Sequence, residues 1–251
     1  MMSGIADIRD RALKFREQLQ KTKLDIAAES EWYPYDSLSN FVHLENLLKG
    51  NSEDLLDDIR GWTIADIGAA DGDVAFFLES LGAGAVDIID NPPTNWNGLR
   101  GAARLRDALS SSVDIHSVDL DAQFRLPREN YSLIVFLGIL YHLKNPFYIL
   151  EALSKVSQRL LLSTRITRYA HDRTTDLSHI PVAYLVDEFE MNNDSTNFWI
   201  FSDAGLRRLI HRAGWEVDAY MTVGNTVDSN PTTADGDERA FCLLRSRNAG
   251  A

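Results

Sequence analysis

The chain has 251 residues, 45% of them hydrophobic, so it is long enough to bury a complete α/β core as one domain with an accessory segment. With 37 acidic residues against 25 lysines and arginines, its formal net charge of -12 would repel a polyanion over long range. We find neither an apolar run near the length of a membrane span nor a charged, apolar and small-residue leader, so we expect a cytoplasmic protein without a membrane partner.

Residues 1–60 are predicted to form an N-terminal helical extension followed by an aromatic loop on the substrate side. Ile5–Leu24 carry apolar residues at imperfect helical spacing, which predicts a helix packed on the core or on a second copy in a homodimer. Trp32, Tyr33 and Tyr35 are interrupted by Pro34 and cannot form a long helix. Such a cluster is either a hydrophobic plug or a wall of the substrate site, and we predict that these aromatic residues contact the substrate.

The segment from Thr63 to Leu78 reads as a buried strand, a glycine turn and the start of a helix. Gly68 and Gly72 allow backbone angles and a close ligand approach that other residues would hinder. Asp66 lies in the strand before the turn, and its carboxylate would repel a pyrophosphate but suit the cationic amino group of an amino-acid moiety. The turn therefore points away from NAD or ATP and toward S-adenosylmethionine (SAM), although such a turn also occurs for packing reasons alone.

Two further predicted strands also end in acids. Ala85–Asp90 places Asp90 where a carboxylate would bind ribose hydroxyls, and Val113–Leu120 contains Asp119, which could accept a hydrogen bond from an adenine amino group. Each acid alone could equally be a cap or a turn former. Because ligands of open α/β sheets bind outside the carboxyl ends of the strands, the acids together favour one cofactor crevice.

These motifs resemble those of class I SAM-dependent methyltransferases, and the resemblance covers roughly residues 60 to 247. It implies a Rossmann-like, doubly wound, mostly parallel seven-stranded sheet over residues 61–248, with the N-terminal helical extension and a lid insertion at residues 169–198. It also implies SAM as the cofactor. The predicted cofactor-binding residues are Asp66, Gly68, Ala70, Gly72, Asp90, Asn91, Asp119, Leu120, Leu137 and Tyr141.

A narrower resemblance concerns the tRNA wobble-uridine (mo5U34) methyltransferase and carboxymethyltransferase group. Gly138–His142 is similar to its glycine-valine-leucine-tyrosine-histidine signature, and Glu238–Phe241 to a segment in which an arginine precedes the last strand. In that group the tyrosine and the arginine, here Tyr141 and Arg239, help to hold the carboxylate of a carboxylated SAM. The group also uses an N-terminal lysine, whereas residues 31–36 contain no basic residue. We therefore expect plain methyl transfer.

Catalytic roles are predicted for His142 and Tyr141, which follow the fourth predicted strand. A histidine of near-neutral pKa can accept a proton from the acceptor, while Tyr141 would position donor or acceptor; the alternative is a histidine packed against the backbone. No metal is expected, because the histidines and acids near residue 175 lack ligand spacing and Cys242 is alone. The predicted substrate-binding residues are Trp32, Tyr33, Tyr35, Trp96, Arg165, Tyr184 and Arg239.

Three functions stay open from the sequence. A methyltransferase acting on a small molecule is favoured by the excess of acidic over basic residues and by the aromatic segments. A tRNA wobble-uridine enzyme is the alternative, and it would need a basic patch such as Arg165, Arg168 and Arg173. A non-catalytic protein that keeps the fold and the cofactor is the third. The polar segment Asn225–Asp237 is predicted to be a mobile excursion.

Overall fold

The computed structural model describes residues 7–26, 31–49 and 55–248. Within these residues the helices are α1 Ile8–Asp25, α2 Phe41–Leu48, α3 Asp73–Ser80, α4 Arg100–Leu109, α5 Pro146–Val156 and α6 Asp203–Arg212. The strands are β1 Thr63–Ile67, β2 Ala85–Asp90, β3 Asp114–Ser117, β4 Leu133–Leu137, β5 Arg159–Thr167, β6 Ala183–Leu185, β7 Trp199–Ser202, β8 Trp215–Gly224 and β9 Glu238–Ser246. The chain divides into two compact units, and the division passes through β4 after Ile134.

The first unit contains three parallel strands in the order β3-β2-β1. Thr63 pairs with Ala85, and Asp87 pairs with Asp114. Every residue of β1 after Thr63 is buried, as expected for a strand in the middle of a parallel sheet. The strand predictions for β1 and β2 are confirmed, whereas β3 ends at Ser117, earlier than predicted.

Helix α1 packs on α3 within the first unit. The side chain of Asp7 caps α1 by accepting a hydrogen bond from the backbone nitrogen of Arg9 at 3.1 Å. The rings of Phe15 and Phe77 lie 5.6 Å apart, so the apolar stripe of α1 covers α3. The predicted N-terminal helix is confirmed over the described residues, and Ile5 lies outside them. The homodimer stays a prediction.

The second unit contains a mixed sheet around β5, which pairs antiparallel with β9 and parallel with β7. Strand β8 pairs with β9, and β6 pairs with β7. The chain thus has nine strands rather than the predicted seven in its described residues, because the short β6 and β7 lie within and just after the predicted insertion. Ser202, at the end of β7, caps α6 by accepting a hydrogen bond from the backbone nitrogen of Gly205.

The segment Asn225–Asp237 is not the loose excursion that its composition predicts. Ser229 and Asn230 are buried. The hydroxyl of Ser229 donates to Glu238 at 2.7 Å, and Arg165 donates to the carbonyl oxygen of Asn230 at 3.1 Å. These buried partners come from β5 and β9, which a polar composition cannot reveal. Among all described residues, we find no helix with the length and apolar character needed to span a membrane.

Candidate functional site

The glycine turn and the acid at the end of β2 are joined by hydrogen bonds. Gly68, Ala70 and Gly72 all have positive φ angles, of 70°, 56° and 84°. This backbone turns the amide of Ala70 toward Asp90, whose Oδ2 accepts a hydrogen bond from it at 3.1 Å. The other oxygen of Asp90 accepts from the backbone nitrogen of Asn91 at 2.7 Å. Three predicted cofactor residues, Ala70, Asp90 and Asn91, are therefore joined by hydrogen bonds at this point.

Asn95, which sequence reasoning missed, completes the surroundings of Asp90. Its amide donates to Oδ2 of Asp90 at 2.9 Å and to the carbonyl oxygen of Ala70 at 3.2 Å. Burial raises the pKa of Asp90, while the hydrogen bonds from Asn95 and the backbone oppose that shift. A carboxylate has about four acceptor positions, so three donors leave capacity for a ligand hydroxyl.

Asp66 is directed toward helix α3. Its Oδ2 accepts a hydrogen bond from the backbone nitrogen of Ala75 at 3.1 Å, and the residue is 4% exposed. Burial raises the pKa of Asp66 to about 7, with the negative charges of Asp90 and Asp73 adding to the effect. Its contact with a ligand amino group stays a prediction. Asp119 is exposed and follows the end of β3.

The predicted substrate-side aromatic residues lie together in the first unit. We call residues 31–36 the aromatic arm. The ring of Tyr33 lies 5.9 Å from that of Tyr35 and 6.5 Å from that of Trp96. Trp32, Tyr33 and Tyr35 line a cavity of about 190 Å³ together with one face of α1. Tyr35 and Trp96 are 74% and 60% exposed, so their rings are accessible to a ligand.

The arm is held by a buried acid that the sequence analysis did not single out. Asp71, 1% exposed, accepts a hydrogen bond from the backbone nitrogen of Tyr33 at 2.8 Å. Its carboxylate also lies 3.3 Å from Nζ of Lys23 on α1, and Lys23 pairs with Asp73 at 2.8 Å. A cation ahead of the main domain therefore does reach the glycine turn, but two carboxylates already surround it.

In the second unit, Tyr141 and Arg239 converge at Gly138. The guanidinium carbon of Arg239 lies 5.8 Å from the ring centroid of Tyr141. Gly138 has φ 74°, and a Cβ there would lie 3.9 Å from both Nη1 of Arg239 and the hydroxyl of Tyr141. Nε of Arg239 forms an ion pair with Asp237 at 3.3 Å. The pair implied by the family resemblance is thus brought together.

Arg165 lies directly opposite Arg239 in the β5–β9 register, yet it is 2% exposed. Its Nη2 donates to the carbonyl oxygens of Asn230 and Thr233 at 3.1 Å and 2.6 Å. Its Nε lies 3.3 Å from Asp237, at ion-pair distance but without hydrogen-bond geometry. Burial lowers the pKa of Arg165. This placement gives Arg165 a role in holding Asn225–Asp237 and does not support direct contact with an acceptor.

His142 is oriented by the segment that precedes β7. Its Nδ1 lies 3.1 Å from the carbonyl oxygen of Thr196 and 2.9 Å from the hydroxyl of Thr196, which itself donates to Asp194 at 2.6 Å. Since both threonine oxygens then act as acceptors, Nδ1 carries the proton and Nε2 keeps a lone pair. Burial lowers the pKa of His142, opposed by Asp194 and Thr196. The ring is thus set up to accept a proton through Nε2.

Tyr184 packs against an apolar cluster that includes Tyr141. Its hydroxyl donates to the carboxylate of Glu190 at 2.9 Å, and burial together with this acid raises the pKa of Tyr184 to about 12. The predicted substrate residue Tyr184 is therefore a neutral hydroxyl near Tyr141, already engaged with Glu190.

One group of potential metal ligands occurs among the described residues, comprising Asp87, Asp114 and His116. The guanidinium of Arg128 lies between the acids, with distances of 2.8 Å to Asp87 and 3.0 Å to Asp114. Tyr131 also donates to Asp87 at 2.7 Å. The cation of Arg128 thus already pairs with both acids of this group.

No protein-family model matches this sequence, and no curated protein matches it significantly. Solved structures do match. The N-terminal domain of EvdMO1 with SAH bound aligns with a TM-score of 0.57 and 14% identity over 92% of this chain and 96% of that one. The chain has the class I methyltransferase fold.

Two further structures share this fold with the chain. The [4+2]-cyclase SpnF aligns with a TM-score of 0.60 and 14% identity, covering 94% of this chain and 93% of SpnF. An S-adenosylmethionine-dependent methyltransferase from Mesorhizobium loti gives 0.56 and 14%, covering 82% of this chain and 97% of that protein. Because a cyclase is among them, the methyltransferase fold does not by itself fix the reaction.

The residues that sequence reasoning missed form hydrogen bonds or ion pairs around Asp71, Asp90 and His142. Asp71 stands directly before Gly72 and could have been noticed as an additional acid in the turn. Lys23, Asn97 and Thr196 had no local signal, because they contact Asp71 or His142 from distant parts of the sequence, and the short-range contacts of Asn95 and Asp194 belong to no recognised motif.

Proposed function

We propose that this protein is a SAM-dependent methyltransferase that acts on a small-molecule acceptor. The observation that carries the proposal is the hydrogen bond that Asp90 accepts from the amide of Ala70, because it brings a carboxylate beside the glycine turn, where a ribose-binding acid would be needed. The positive φ angles of the turn leave backbone exposed to a ligand. The N-terminal domain of EvdMO1, crystallised with SAH, the demethylated product of SAM, has the same fold.

The residues of the first unit fit the parts of this cofactor. Asp90 would accept from the ribose hydroxyls, Asp66 would face the amino group, and Asp119 would accept from the adenine amine. In the second unit, Leu120 is buried and Leu137 is partly buried, and their predicted role in cofactor binding stays a prediction. When bound, SAM supplies a methyl group that its sulfonium already activates for transfer.

The chain's own chemistry is then alignment and proton removal. Alignment of the acceptor can lower the barrier strongly without any acid or base. For a hydroxyl or ammonium acceptor, Nε2 of His142 would take the proton, and the carbonyl oxygen of Thr196 would hold the opposite ring nitrogen in place. Tyr141, whose ring centroid lies 4.2 Å from that of His142, would orient the reacting groups.

A small acceptor is favoured by the charges and by the aromatic arm. The arm and α1 enclose a cavity of about 190 Å³, which suits part of a small molecule. The candidate basic patch is already neutralised, because Arg168 pairs with Glu238 at 2.6 Å and Arg173 with Asp235 at 3.4 Å. A polyanion would have to displace these partners against a net charge of -12.

Plain methyl transfer is favoured because the charge of Lys23 is already paired with acidic side chains. A carboxylated donor needs cationic partners, since a carboxylate out of water is costly without them. Lys23 lies 2.8 Å from Asp73 and 3.3 Å from Asp71, so its charge is already balanced. This leaves Arg239, itself paired with Asp237, as the cation beside Tyr141.

The second candidate is a tRNA wobble-uridine methyl- or carboxymethyltransferase. The approach of Tyr141 to Arg239 favours it, because these are the two residues that the resemblance assigns to a donor carboxylate.

The two candidates can be separated with SAM that carries an isotopically labelled methyl group. The protein is incubated with either a small-molecule extract or bulk tRNA, and each fraction is then analysed for label. Label in the small-molecule fraction alone supports the proposal, and label in tRNA supports the second candidate. Binding of SAH without labelling of either fraction would point to a non-catalytic cofactor-binding protein.

A further inference from the structure

Asp71 connects the glycine turn to two segments that precede and follow it. Its Oδ2 accepts from the backbone nitrogen of Tyr33 at 2.8 Å and lies 3.3 Å from Nζ of Lys23. Its Oδ1 accepts from the amide of Asn97 at 2.7 Å. Both oxygens of this buried carboxylate are therefore engaged with N–H donors. An uncharged amide in its place could accept with only one atom.

Lys23 supports this arrangement from helix α1. Its Nζ lies 2.8 Å and 3.0 Å from the two oxygens of Asp73, and its side chain is 15% exposed. The same ammonium lies 5.5 Å from the ring centroid of Trp32. Lys23 therefore contacts both acids that flank Gly72 as well as the aromatic arm.

Asn97 fastens the arm at a second point. Its amide donates to the carbonyl oxygen of Glu31 at 3.1 Å, and its own oxygen accepts from the backbone nitrogen of Gly101 at 3.1 Å. A Cβ at Gly101 would overlap the carboxylate of Asp71. Trp32 thus lies between two residues whose backbone atoms are bonded to this network.

We propose that Asp71 and Lys23 are positioning residues that hold the aromatic arm against the glycine turn, so that the arm and the turn become ordered together. This inference rests on the proposed function, because it takes the glycine turn to be part of the SAM site. It predicts coupling: a ligand that orders the turn also orders the arm, and loss of the network weakens binding of that ligand. An ion pair that only stabilised the fold would change the melting temperature without this coupling.

The test uses the full chain, SAH as the probe, and the variants Asp71→Asn, Lys23→Met and Lys23→Arg. Lys21→Met is the matched control, because Lys21 is exposed on the same helix and the change in charge is the same. Calorimetry gives the affinity for SAH, NMR gives hydrogen exchange of the Tyr33 amide, and a thermal melt checks folding. Exchange is measured with and without SAH.

We expect Asp71→Asn and Lys23→Met to bind SAH roughly tenfold more weakly or worse, the scale of losing a hydrogen bond to a charged group. Exchange of the Tyr33 amide should accelerate in both variants, and SAH should slow it in the wild type. Lys21→Met should behave as the wild type does, and Lys23→Arg should restore much of the affinity. If a methionine variant does not fold, the arginine and asparagine variants still carry the test.

Folded Asp71→Asn protein with wild-type affinity and an equally protected Tyr33 amide would overturn the proposal. So would equal losses in Lys23→Met and Lys21→Met. If the wild type itself binds no SAH, the proposed function fails. Exchange of the Tyr33 amide without ligand then still decides whether Asp71 holds the arm.

Discussion

Oδ2 of Asp90 lies 3.1 Å from the backbone nitrogen of Ala70, so the acid that ends β2 is hydrogen-bonded directly to the turn that follows β1. Ala70 can donate in this direction because its φ angle is 56°, an uncommon conformation for a residue with a Cβ. A strained backbone of this kind persists where neighbouring contacts hold it in place. Here the hydrogen bonds made by Asn95 and Gly68 provide those contacts.

Gly101→Ala tests the packing around Asp71. Alanine in a helix normally adds about 1 kcal/mol of stability over glycine. Here the new Cβ would overlap the Asp71 carboxylate and crowd Asn97, so we expect the variant to be less stable than the wild type by about 1–3 kcal/mol. Urea unfolding measures this directly, and a stabilised variant would show that Asp71 lies elsewhere.

The dependence of stability on pH tests the burial of Asp66. Its pKa is raised from 3.8 to about 7, so the folded state holds a proton that the unfolded state releases above about pH 4. The stability that this proton contributes is fully present below the pKa of Asp66 in the unfolded state, and it is lost as the pH rises through about 7. Asp66→Asn should therefore gain stability relative to the wild type between about pH 5 and about pH 8, by on the order of 2 kcal/mol.

Thermal melts of both proteins across this range measure the difference. Asp57→Asn is the control, because it makes the same change in charge at an exposed position. If the stability of Asp66→Asn relative to the wild type does not increase with pH, the side chain of Asp66 is solvated or paired.

Competition between two donors tests the form of the cofactor. Because Lys23 is balanced by Asp71 and Asp73, we expect the protein to bind plain SAM at least as well as carboxylated SAM. Calorimetry by displacement compares the two donors. Binding of the carboxylated donor more than about tenfold tighter, a preference of about 1.4 kcal/mol, would reverse this prediction.

His142 is expected to be the general base. Once a substrate is known, His142→Ala should lower turnover by roughly 10²–10⁴-fold while the affinity for SAH stays nearly intact. A thermal melt accompanies the titration, because a purely structural histidine would cost stability and cofactor binding along with rate. Turnover within a few-fold of wild type would mean that proximity alone carries the reaction.

The tautomer of His142 can be measured without a substrate. ¹⁵N NMR should show the proton on Nδ1 and an unprotonated Nε2 near neutral pH, since Nδ1 faces the carbonyl oxygen of Thr196. Thr196→Val removes only the hydroxyl and should keep this tautomer. A protonated Nε2 in the wild type would contradict the proposed role.

The sequence predicted the parts of this protein that rest on local patterns. Strand β2 is found over the predicted Ala85–Asp90. Such elements show apolar runs or periodic spacing, which depend only on neighbouring residues. Ser202 as the cap of α6 was also predictable, because capping is a short-range preference.

Contacts between distant residues were not predictable in this way. The carboxylate of Asp71 reaches Lys23 and Asn97, and nothing in the composition near those residues marks them. Arg165 was predicted to bind substrate, but it lies within β5, which continues to Thr167, and it is buried there. Only the register between β5 and β9 shows this.

Calorimetry with SAH tests whether the turn after β1, together with Asp90, binds SAM. Wild-type protein should bind SAH, and Asp90→Ala should weaken the binding by roughly 1–3 kcal/mol, because ribose hydroxyls would lose their acceptor. Asp57→Ala should bind as the wild type does, with thermal melts showing that each variant is folded. No binding by the wild type, or an unchanged affinity in folded Asp90→Ala, would rule out a SAM site at this turn.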